Sequence, residues 1–274
     1  MIHARARCSP GIGGRRFAQA LCVGVALLAS CAPPPPRGLE TLEVLARRGA
    51  ERREHRFAVC EVQAALRVSG RATGRLPAVS LHARLATPER VRLQCRWVLG
   101  LLADVAVRGD TLTAWVPSER LGLRVPDLSD SLGVREPARF LARALTASWQ
   151  APSEAWKHAV ADSAGVTLAW PEHDEQWTLR VDRDGRPREV VVARNGQSVR
   201  ARYGAWRGAG PYAWPARVEL ADAAGWVALT LDLEDLHAAK RARPAWFALV
   251  LPDDARRLEL DDVKRILSQR GGGR

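Results

Sequence analysis

Glu172, His173, Asp174 and Glu175 stand side by side in the stretch WPEHDEQW, four side chains of the kinds that ligate divalent metals or pass protons. Consecutive residues on a strand or in a turn project in different directions and rarely converge on one ion, so a solvated acidic turn between two strands is the expected structure. Asp232, Glu234, Asp235 and His237 repeat the situation further along. No glycine-rich phosphate loop, no G-x-S-x-G elbow and no H-E-x-x-H helix occurs in the 274 residues, and the six histidines are scattered. The expectation is a protein with no catalytic residue, no metal and no cofactor, whose work is binding.

A different chemistry is written at Cys31. Arg5, Arg7, Arg15 and Arg16 precede an apolar run from Phe17 to Leu28, the layout of an export leader. About a dozen apolar residues fall short of the roughly 20 needed to cross a bilayer as a permanent helix. Small residues then lead into the cysteine, and Pro33 to Pro36 follow it directly. Four prolines hold an extended conformation of about 3.1 Å per residue and form a stiff spacer. Leu28-Ala29-Ser30-Cys31 resembles the lipobox of bacterial lipoproteins, which implies cleavage before Cys31 and acylation of its thiol. The organisation expected is a leader over 1–30, a tether over 31–38, one domain over 39–267 and a disordered tail over 268–274.

Composition narrows the partners. The net charge of +12 falls by four to +8 once the leader's arginines are removed, which attracts anionic surfaces, and an exported chain has no nucleic acid to meet. The arginines are dispersed and read as a solvated surface. Ten tryptophans against four phenylalanines and two tyrosines suit core, cavity wall and membrane interface alike. Cys60 and Cys95 could pair in an oxidising compartment, but the strand pattern sets them far apart, and the disulfide stays open.

Leu39, Leu42, Leu45 and Ala46 recur at helical spacing and predict an amphipathic helix over 39–55. The period then becomes two: Val62, Ala64, Leu66 and Val68; Val79, Leu81, Ala83 and Leu85; Val91, Leu93, Cys95 and Trp97, with turn residues between. Strands continue to Val125, a second helix is expected from Pro137 to Trp149, and further strands follow, with Asn195-Gly196 as a tight hairpin turn. About eleven strands, one early helix and one central helix predict a mainly β (α+β) chain, built as one antiparallel sheet that closes around its helices.

The lipobox, the leading helix, the strands around GRLPAVSLHARLATPERVRLQCRWVLGLLADVAVRGDTLTAWVPSERLGLRV, the central helix, and WPARVELADAAGWVALTLDLEDL followed by FALVLPDDARRLEL together resemble the LolA/LolB-like lipoprotein-carrier superfamily, most of all its outer-membrane-anchored LolB-like branch. The resemblance covers most of the mature chain. It implies an open, curved antiparallel half-barrel with a helical lid, whose concave side receives acyl chains of a lipoprotein or lipid. It also implies a chain anchored to the outer membrane through Cys31, facing the periplasm and able to take cargo from a LolA-like carrier. Residues whose alternation suits the cavity wall are Leu66, Val68, Leu81, Leu93, Trp97, Leu112, Trp115, Phe140 and Leu145. That family's protruding loop corresponds to Leu99-Gly100, followed by Leu101 and Leu102. Two alternatives stay open at this stage: the three leucines as core strand residues, and a filled core serving an envelope scaffold or assembly lipoprotein that works through its surface.

Overall fold

The period-two segments pair into one large antiparallel sheet in the computed structural model, which describes residues 38–71, 74–225, 227–262 and 265. The expected leader, Cys31, the proline tether up to Arg37 and the expected tail lie outside the described residues. Helix α1 (Leu39–Arg56) leads into the strands β1 (Val59–Gly70), β2 (Gly74–Arg75), β3 (Val79–Ala86), β4 (Arg90–Trp97), β5 (Gly100–Arg108), β6 (Thr111–Val116) and β7 (Leu121–Val125). Helices α2 (Leu128–Leu132), α3 (Pro137–Thr146) and α4 (Ser153–Lys157) interrupt the sheet. It resumes with β8 (Val160–Ala161), β9 (Gly165–Glu172), β10 (Glu175–Asp182), β11 (Pro187–Arg194), β12 (Gln197–Arg207), β13 (Trp214–Asp222), β14 (Ala228–Ala238) and β15 (Arg256–Leu258).

The sheet has fifteen strands, against the eleven or so expected, because the short strands β2, β8 and β15 carry too few residues to show a period. Its order is β15-β7-β6-β5-β4-β3-β1-β14-β13-β12-β11-β10-β9-β8, with β2 hairpinned onto β1. Two meanders are thus joined through the β1–β14 pair, and the curved sheet stays unclosed. Every neighbouring pair is antiparallel except β15 on β7.

Register fixes the faces. Ala64 lies opposite Leu81 and Leu233, Leu81 opposite Cys95, and Cys95 opposite Ala103, so these residues share one face, which we call inner. Val62, Leu85, Leu168, Leu179 and Leu233 on this face are fully buried, in one cluster with Leu42 and Ala46 of α1 and Phe140, Ala144 and Leu145 of α3. Helix α1 buries Leu42, Ala46, Ala50 and Arg53 along one stripe, with Glu40 in its first turn and Arg53 and Arg56 in its last, each where the helix dipole favours its charge. The second long helix ends at Thr146, earlier than the expected Trp149: Ala147 is left-handed at φ 53°, and the chain turns there so that Trp149 enters the core.

The expected Asn195-Gly196 turn is present, with both residues at positive φ. Gly165 is under a harder constraint: at φ +157° it opens β9, and a Cβ there would sit 1.9 Å from the Val181 carbonyl oxygen. Gly165→Ala is expected to lower stability by about 1–3 kcal/mol, read as a lower urea midpoint with an unchanged slope.

Cys60 and Cys95 are both free. Cys60 pairs with Leu85 and Cys95 with Leu81, so the thiols are two strands apart and offset along the sheet, beyond the reach of a disulfide.

Candidate functional site

On the inner face, burial falls along the strands. Along β4, Val91 is fully buried, Leu93 and Cys95 are half-buried and Trp97 is exposed; on β5, Val107 is buried while Val105 and Ala103 are half-buried. Val68, Val79, Leu112, Leu123 and Leu229 are also only half-covered where they pack against the core. Helices α1 and α3 pack against one part of the inner face, and the apolar side chains beyond them are only half-covered.

At the end of β4 the chain turns back into β5, and the turn is apolar. Leu99 is 99% exposed, Val98 91% and Trp97 53%. Trp97 and Gly100 face each other across the turn, with Gly100 at φ +131°. A bulge follows: Cys95 pairs with Ala103 and Arg96 with Leu101, leaving Leu102 unpaired. This extra residue sends Leu101 to the same side as Arg96, and Leu101 and Leu102 end half-buried at the base of the tip.

The expected cavity residues fall into three groups. Leu66, Leu81, Phe140 and Leu145 are buried in the core cluster; Val68, Leu93 and Leu112 are half-buried against it; Trp97 stands at the exposed tip. Trp115 requires a correction. It pairs with Asp104 and Gly122 on the outer face, because it is three residues from inward-facing Leu112 and side chains alternate along a strand. Leu99 is exposed as a tip residue, not as a core strand residue. Val98 belongs to the same tip, and the signal that could have singled it out is its place between Trp97 and Leu99 in a hairpin turn, where side chains have no sheet to cover them.

The interior chemistry is that of a closed core. Arg53 is 2% exposed; its Nε–H donates to the Ala147 carbonyl at 3.0 Å and its guanidinium lies over the Trp206 ring, 5.4 Å from the centroid. Burial lowers its pKa to about 10, which still leaves it cationic at neutral pH. Trp149 Nε1–H donates to the Tyr203 hydroxyl, and burial pushes that phenol up. Burial pushes the Cys60 thiol up to about 12 and raises Cys95 as well, so neither is a thiolate.

The run from Glu172 to Glu175 diverges as alternation requires. Glu175 turns inward and accepts from the Arg135 N–H at 2.5 Å and from Trp177 Nε1–H at 3.1 Å, while Asp174 pairs with Arg194 at 2.6 Å. His173 occupies the turn at φ 57°. Asp232 pairs with Arg67 and Arg217, and Asp235 with His237. Among the described residues no three His, Cys, Asp or Glu side chains are grouped to hold a metal ion. No described helix is long and apolar enough to cross a membrane.

No protein-family model matches the sequence, and no curated protein matches it either. Solved structures do. A LolA superfamily protein, NE2245 from Nitrosomonas europaea, is 15% identical with a TM-score of 0.48, over 76% of this chain and 97% of that one. The chain is similar to LolA-superfamily proteins. A putative outer membrane lipoprotein-sorting protein domain from Vibrio parahaemolyticus is 9% identical with a TM-score of 0.46, over 77% of this chain and 97% of that one. The lipoprotein LppX of Mycobacterium tuberculosis is 12% identical with a TM-score of 0.28, over 72% and 97%.

Proposed function

We propose that this chain is a non-enzymatic carrier or acceptor of acyl chains, held to the outer membrane by lipid on Cys31 and facing the periplasm, which helps to localise lipoproteins or lipid there. The leader and Cys31 support the anchor. The observation that carries the reading is the exposed tip Trp97–Leu99, continuous along β4 with the half-buried side chains Leu93 and Cys95. Such a tip has no folding purpose in water. It gains about 25 cal/mol for each Å² of apolar surface removed from water, so it can enter a bilayer or meet an acyl chain, and the uncovered inner face can take the chain in without a catalytic group. Handover from a LolA-like carrier fits this arrangement.

Leu99→Glu tests it. An exposed position tolerates the change in the fold, while a carboxylate at the tip is expected to slow transfer of an acylated lipoprotein into liposomes at least tenfold, roughly the worth of one buried leucine. Transfer at the unmodified rate would remove the tip from the mechanism. The filling of part of the inner face by α1 and α3 favours the second reading, a scaffold or assembly lipoprotein working through its surface. Native mass spectrometry separates the two: a co-purified phospholipid or acylated peptide supports the carrier, and a ligand-free mass after incubation with both supports the scaffold.

A further inference from the structure

Residues 244–258 cross the outer face of the sheet as a strap. Its start is gripped by Arg92, whose Nη1–H donates to the carbonyls of Trp246 at 3.1 Å and Ala248 at 2.9 Å. Arg84 and Arg90 add cation–π contacts to Trp246 and Phe247. Its end is held where β15 pairs with β7 and Arg120 pairs with Asp254. Between these holds, residues 249–251 span the outer face of β5, β6 and β7 above a cleft of about 1000 Å³. Gly122 sets the spacing: a Cβ there would lie 2.9 Å from the Leu251 side chain.

The cleft has one cationic side and one apolar side. Register puts Arg108 opposite Thr111, Arg124 opposite Thr113 and Arg257 opposite Gly122, all on the outer face and all lining the cleft. Several other arginines of the sheet have carboxylate partners: Arg67 and Arg217 with Asp232, Arg84 with Glu61, Arg202 with Glu189. Among the described residues Arg108, Arg124 and Arg257 have none. Phe247, Leu249 and Leu251 form the opposing wall. Asp253 and Glu259 also line the cleft, so its three guanidinium groups leave one net positive charge.

We propose that this cleft is a second binding site, separate from the inner face, for a monoanionic amphiphile: a singly charged oxyanion head held by the three arginines, with an apolar tail under the strap. Guanidinium groups match the geometry of phosphate and carboxylate oxygens, and the single net charge suits a phosphodiester or a carboxylate better than a dianion. The apolar wall explains why a tail belongs to the ligand and the inorganic ion alone does not satisfy the site.

Calorimetry on the full chain tests this with three probes: dihexanoyl phosphatidylglycerol below its micelle concentration, octanoate, and inorganic phosphate. One of the two amphiphiles is expected to bind saturably, which also identifies the head, and phosphate more weakly. The double substitution Arg124→Gln with Arg257→Gln, both exposed, is expected to weaken binding by about tenfold or more, and Thr113→Trp to block it by filling the cleft. The same double variant should leave transfer of an acylated lipoprotein into liposomes unchanged, which keeps this site distinguishable from the inner-face reading. Absence of saturable binding by either amphiphile, equal binding of inorganic phosphate, unchanged affinity in the double variant, or slowed transfer in the double variant would each overturn the proposal.

Discussion

Phe140→Ala is expected to lower stability by about 3–5 kcal/mol, a fall of roughly 6–20 °C in melting temperature for a domain of this size. Phe140 is the point where helix α3 meets the aromatic column inside the sheet. Its ring lies 5.3 Å from Trp149, Trp149 lies 5.8 Å from Trp177, and Trp177 stacks on Trp170 at 6.0 Å. Truncation leaves a hole that these large, mutually supported rings cannot collapse to fill. Trp149 is further fixed by its bond to the Tyr203 hydroxyl, so its near-ultraviolet circular dichroism is expected to fall along with stability. Phe140→Leu restores most of the volume and is expected to lose only the aromatic pairing, about 1 kcal/mol. Equal melting temperatures for Phe140→Ala and the unmodified protein would mean that α3 does not organise the inner face.

Asp104→Ala is the second large effect, expected to cost about 3–5 kcal/mol at neutral pH because it leaves a nearly buried guanidinium without its partner. Asp104 Oδ1 accepts from Arg92 Nε–H at 2.8 Å, and its Oδ2 accepts from Arg92 Nη2–H at 2.6 Å and from Gln94 Nε2–H at 3.0 Å. The carboxylate is 4% exposed and the arginine 13%. Burial alone would raise the Asp104 pKa, but the hydrogen bonds from Arg92 and Gln94 and the charges of Arg92 and Arg96 together outweigh it, and the net direction is down. A lowered folded pKa contributes stability that is present above the unfolded value, near 3.9, and is lost as pH falls through the folded one. The acid limb of the stability curve should therefore flatten in Asp104→Ala. Since the same Arg92 grips the strap, limited proteolysis within residues 244–252 is expected to speed up as well. Unchanged melting together with an unchanged cleavage rate would show that the pair does not hold the strap.

Much of the inner face was legible from alternation. Leu66, Leu81 and Leu93 sit on the side their period assigns, since a strand's side chains point to opposite faces whatever lies beyond it. The same rule decides Trp115: counting three residues from Leu112 puts it outside, where the structure has it. The tip at Leu99 was placed by resemblance, and its exposure came only from the fold, because an apolar triplet in a turn reads the same whether another element covers it or not.

The sequence by itself determined the longer strands and the two longer helices, the faces of Leu66, Leu81 and Leu93, the Asn195-Gly196 turn and the lack of any residue run with catalytic spacing, while the short strands and the short helices at Leu128–Leu132 and Ser153–Lys157 carried too few residues to show a period. These depend on backbone preference and on neighbours a few residues away. Only the tertiary structure decided that β1 and β14 join the two meanders, that Cys60 and Cys95 stay apart, that Arg53 is buried beside Trp206, and that residues 244–258 cross the outer face to β7. Each of these rests on contacts between residues far apart in the chain, such as Arg92 with Ala248, whose energies exist only once the sheet has formed and leave no period in the sequence.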